Sequence, residues 1–142
     1  MRLLWKIFKD YVSTSHKWIL KKLFWLSFVV LQPNNDGTLV LTSSPWRAPY
    51  SILWSLGEFF DKKLVFKDDD YAEFSKLNQD KVITTQNELA TIYDISTGQK
   101  IRELTPVISN ESAKPRATFD PSGGFALNDG VLFDMPMRPG TA

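Results

Sequence analysis

Polar and apolar positions along this chain fall into one pattern that occurs three times. Each copy opens on an apolar residue, crosses a short polar turn into a β-rich run, and closes on an aromatic residue. Leu31 leads through Gln32-Pro33-Asn34-Asn35-Asp36-Gly37 and Leu39-Val40-Leu41 to Ile52-Leu53-Trp54. Phe74 leads through Ser75-Lys76-Leu77-Asn78-Gln79-Asp80 and Val82-Ile83 to Thr91-Ile92-Tyr93-Asp94. Phe119 leads through Asp120-Pro121-Ser122-Gly123-Gly124 and Phe125-Ala126-Leu127 to Val131-Leu132-Phe133-Asp134. The closing aromatics at 54, 93 and 133 are spaced by 39 and 40 residues; the openings at 31, 74 and 119 are spaced by 43 and 45.

Four short strands per unit, repeating every ~40–45 residues, are the signature of a β-propeller of WD repeats. The predicted fold is therefore all-β, a WD-repeat β-propeller fragment of about two and a half to three blades. The blades take residues 28–135, behind a non-propeller segment 1–27 and ahead of a tail 136–142. In the first copy, Asn34-Asn35-Asp36-Gly37 reads as a turn, because Asn, Asp and Gly tolerate left-handed backbone. Leu39-Val40-Leu41 reads as a strand covered on both faces. A third strand is predicted over 51–55 and an outer strand over 63–67, with Gly57 weighing against a helix from Leu53 to Phe60. The second copy predicts a hairpin from Val82 to Ile95 around Gln86-Asn87-Glu88. A turn at Ser96-Thr97-Gly98-Gln99 follows, then an outer strand over 100–104. A polar connection over 105–116 holds Pro106 and Pro115. A closed propeller takes roughly four to eight blades, so open strand edges and marginal stability in isolation are expected.

Composition adds an asymmetry that the net charge of +1 conceals. Residues 1–26 carry six bases against one acid, while the remainder carries eleven bases against fifteen acids. The apolar stretch from Leu23 to Leu31 falls well short of the roughly 20 residues of a spanning helix. A membrane-surface helix with Trp and Phe facing lipid is one reading of this head. The plainer one gives Phe28–Leu31 to the first strand and leaves residues 1–26 outside the repeats. Without cysteine, no disulfide or thiolate metal site can form.

Two segments carry a family resemblance. Residues 73–99 read EFSKLNQDKVITTQNELATIYDISTGQ, and residues 117–134 read ATFDPSGGFALNDGVLFD. With LVLTSSPWRAPYSILWSLGEFFDKKLVF before them, they resemble the WD-repeat domain of the Vpr-binding protein family, over roughly residues 29–135. The resemblance implies a non-catalytic scaffold, the substrate receptor of a cullin-4 ubiquitin ligase, acting in protein ubiquitination in the nucleus and also the cytoplasm. One propeller face would dock the ligase's propeller adaptor and the other would receive protein substrates. The adaptor contact implied for the family is a Trp-Asp-x-Arg box, whose Arg fork reaches carboxylates or carbonyls in a bidentate, charge-assisted way. The matching positions here are Phe133, Asp134, Met135 and Pro136. Asp134 is kept, Phe133 replaces Trp and Pro136 stands in the Arg slot, so weakened adaptor docking is expected. A second box would lie beyond Ala142.

Three residues are candidates for partner binding: Trp46, in a loop bracketed by Pro45 and Pro49, and Phe133 with Asp134. The bland reading folds Trp46 onto its own loop and makes Asp94 and Asp134 turn caps. Asp68-Asp69-Asp70 lacks the spacing of a calcium loop and reads as a solvated hairpin tip. His16 is the only histidine, and Gly123-Gly124 lacks the Lys of a phosphate loop. No catalytic residue, cofactor, metal site or nucleic-acid partner is expected. The competing readings are a generic WD-repeat scaffold of another complex and a membrane-surface-attached β-protein led by the basic head.

Overall fold

The computed structural model describes residues 30–44, 51–57, 60–69, 71–105 and 116–135, and the chain divides into two compact units, Met1–Asp70 and Tyr71–Ala142. Every regular element among the described residues is a strand, gathered into three antiparallel sheets whose strands lie in sequence order.

The first unit holds a sheet of β1 (Val30–Pro33), β2 (Leu39–Ser43), β3 (Ser51–Leu56) and β4 (Phe60–Phe66), each paired with the next. Consecutive residues Val40 and Leu41 are both buried, as expected of a strand covered on both faces. The turn before β2 closes through Asn34: its N–H donates to the Leu39 carbonyl, and its Oδ1 accepts the Leu39 N–H at 2.9 Å. Gly37 takes φ +73 there, a conformation open to glycine at no steric cost. The outer strand begins at Phe60, three residues before the predicted 63–67, because β3 and β4 pair as far back as Leu56↔Phe60.

The second unit contains two sheets. One is β5 (Tyr71–Phe74), β6 (Lys81–Gln86), β7 (Leu89–Asp94) and β8 (Lys100–Leu104). The other is β9 (Thr118–Phe119), β10 (Phe125–Asn128) and β11 (Val131–Asp134). They stack face to face around a buried cluster of Ile83, Ala90, Ile92 and Leu104 from one sheet and Phe119 and Ala126 from the other, joined by Ala117 and Met135. Burying the Ile, Leu, Phe and Met side chains among them contributes about 1.5–3 kcal/mol each before entropy is counted.

Hydrogen bonds tie the same two sheets. Asn128 is fully buried and its Nδ2 donates to the carbonyls of Glu88 (2.8 Å) and Leu104 (2.9 Å). The Ala117 N–H donates to the Thr85 hydroxyl at 3.0 Å. The Glu73 carboxylate accepts from both the Thr118 and Tyr71 hydroxyls.

Register makes the repeat a structural fact. Val40 pairs with Trp54, Val82 with Tyr93 and Ala126 with Phe133, so the three closing aromatics occupy one position in three sheets. On the other side of the second strand, Val40 pairs with Pro33, Val82 with Phe74 and Ala126 with Phe119. The opening residue of the first copy is thus Pro33 rather than Leu31. Proline is tolerated there because, among the described residues, β1 is an edge strand of its sheet.

Candidate partner-docking site

The end of β11 is positioned by a tight turn that the sequence reading did not single out. Asp129 and Gly130 both take positive φ, +48 and +76, joining β10 to β11 as a two-residue hairpin loop. An Asp-Gly pair between short apolar runs is the local signal for it. The turn fixes Phe133 opposite Ala126, so its ring packs against the buried cluster. Asp134, one residue on, turns to the other face and is exposed. Met135 is buried, and its N–H donates to the Gly124 carbonyl at 2.8 Å.

A guanidinium reaches this strand end from the neighbouring sheet. Arg102 lies on β8 opposite Ile92, and its Nη1 donates to the Asp134 carbonyl at 2.7 Å. Its guanidinium carbon stands 5.9 Å from the centroid of the Phe133 ring, within cation–π range. Sequence separation hid this contact, since Arg102 and Asp134 are 32 residues apart.

Asp94 occupies in β7 the place that Asp134 occupies in β11, yet the two carboxylates do different work. Asp94 Oδ1 accepts from the Ser96 hydroxyl, the Thr97 N–H at 3.0 Å and the Thr97 hydroxyl at 3.2 Å. The Ser96 hydroxyl above all, then the Thr97 N–H, hold its carboxyl down to about 2. Asp94 therefore caps the turn into β8, with Gly98 at φ +71 completing it. Asp134 is followed by Met135 and Pro136 instead of hydroxyl residues. Among the described residues no donor reaches its carboxylate, which faces solvent.

Phe133 and Asp134 are thus adjacent at one corner with Arg102. Trp46 lies outside the described residues, as do His16, the basic head and Pro136. Trp54, the aromatic of the first sheet, bonds the Thr42 hydroxyl through Nε1 at 3.0 Å and carries Lys62 5.7 Å above its ring. Among the described residues, no three His, Asp or Glu side chains converge to hold a metal ion.

No family model matches the sequence. Curated relatives do. Protein mahjong of Drosophila melanogaster is 47% identical over 106 residues, 74% of this chain. The DDB1- and CUL4-associated factor homolog 1 of Caenorhabditis elegans is 30% identical over 106 residues, again 74% of this chain. The chain spans only 7% of the first relative's length and 6% of the second's.

Proposed function

The 106-residue stretch shared with these relatives makes this chain a member of the Vpr-binding protein family, and on that premise we propose that it is a non-catalytic docking module of the ubiquitination pathway. The name of the nematode relative carries DDB1 and CUL4. In our reading this chain associates with DDB1, the propeller adaptor, through the end of β11, and presents protein substrates on another surface. Ubiquitin transfer belongs to other subunits, and the chain acts where the family acts, in the nucleus and cytoplasm.

The observation that carries this reading is the 47% identity over 106 residues, 74% of the chain. Phe133 and Asp134 at a strand end beside a guanidinium are suited to such a contact, since aromatic and Arg side chains are favoured interface anchors. Pro136 supplies no side-chain donor, which weakens docking. Co-purification of the 142-residue chain with DDB1, beside the matching stretch of Protein mahjong, tests the reading. Retention weaker than the fly segment's is expected; no retention above a bead control overturns DDB1 docking, and equal retention overturns its weakening.

A further inference from the structure

Arg102 breaks the repeat. In the first sheet Leu53 pairs with Leu64; in the second, Ile92, the register equivalent of Leu53, pairs with Arg102. An apolar position has become a guanidinium at the rim between two stacked sheets. Two residues on, the pattern resumes, with Leu104 fully buried at the place Phe66 fills in the first sheet. Local departures of this kind, with consistent structure around them, concentrate at functional positions.

The guanidinium is held but not satisfied. One N–H is engaged by the Asp134 carbonyl and one face lies toward Phe133. Arg carries five N–H donors in a fixed fork, so most remain available. Arg102 takes part in no ion pair among the described residues. The neighbouring acid on its own strand, Glu103, is already paired with Lys100. Holding a long side chain in place beforehand removes part of the ordering entropy of binding.

We propose that Arg102 is a partner-binding residue, and that its free donors take a carboxylate of an acidic protein segment at the Phe133–Asp134 corner. This rests on the reading of that corner as the docking surface and supplies it with a cation from β8. The competing role is a purely internal staple between β8 and β11.

The test uses the whole 142-residue chain with DDB1 as the probe, titrated at low and high salt. Arg102→Leu restores the residue type the first sheet has at Leu64, so the fold should keep its melting temperature. Affinity should fall about tenfold, within the range of a charged hydrogen-bonded contact, and the salt dependence should flatten. Arg102→Lys should fall between, retaining charge without the fork. Wild-type binding together with an unaffected Arg102→Leu overturns the role of Arg102 alone. A drop in melting temperature for Arg102→Leu that matches its loss of binding assigns the residue to the staple and also overturns it. Absence of wild-type binding overturns the docking reading beneath it.

Discussion

The second and third sheets are built on one register, but their equivalent residues meet different surroundings. Ile83 and Ile92 are fully buried beneath the third sheet. Leu127 and Leu132 hold the same places one repeat later, and they are 41% and 61% exposed. Phe125 on the same face is 41% exposed as well. The amino-acid types barely change, so the repeat specifies an apolar pair at this site whether or not a neighbouring sheet covers it. Stability at that pair follows from the neighbour. The strand ends repeat the lesson, for Asp94 is tied into a turn while Asp134 is left to solvent.

Truncation of the paired positions should break the likeness most sharply. Ile92→Ala should lose about 2–5 kcal/mol in urea unfolding, from lost burial and the cavity left behind. Leu132→Ala should stay within roughly 0.5 kcal/mol, as exposed substitutions do. Equal losses would mean that the third sheet does not cover Ile92.

A smaller effect concerns the polar tie between those sheets. Asn128→Ala removes both donors to the Glu88 and Leu104 carbonyls and should destabilise by roughly 1–3 kcal/mol, chiefly through the Leu104 carbonyl left buried without its side-chain donor. Hydrogen exchange should show the change in β8 and β10 together. A change confined to β10 would contradict the tie.

The smallest effect separates the two strand-end aspartates. Asp94 titrates at about 2 in the folded chain against an ordinary 3.8. Its contribution is present above the unfolded value and is lost as pH falls through about 2. Asp36 and Asp120 are lowered in the same direction by their bonds from Thr38 and Ser122. Acid unfolding should therefore steepen below about pH 4, and Asp94→Asn, which keeps an acceptor, should flatten that slope. At neutral pH, Asp94→Asn should lower the melting temperature while Asp134→Asn, whose carboxylate meets no donor among the described residues, should not, and a matching drop there would erase the distinction.

Much of this architecture is legible in the residues. Spacing alone makes Trp54, Tyr93 and Phe133 repeat equivalents, and register places them at one position. The strand types follow from short apolar runs bounded by Asn, Asp and Gly. The first opening is not legible in the residues, because Leu31 is apolar and Pro33 is not a strand former, although an edge strand admits it. The candidate corner at the end of β11 is half legible. Phe133 and Asp134 stand out by resemblance, whereas Arg102 and Asn128 act across sheets at separations no local pattern reports. Aligning the outer strands by register, which sets Arg102 against Leu64, is the signal that would have found the first of these.

Docking through the end of β11 is tested most directly by Pro136→Arg, which puts a guanidinium back two residues after Asp134. In a calorimetric titration with DDB1 this variant should bind about tenfold more tightly than the wild-type chain, the gain of one charge-assisted contact. Affinity that stays the same or falls would contradict docking at this strand end.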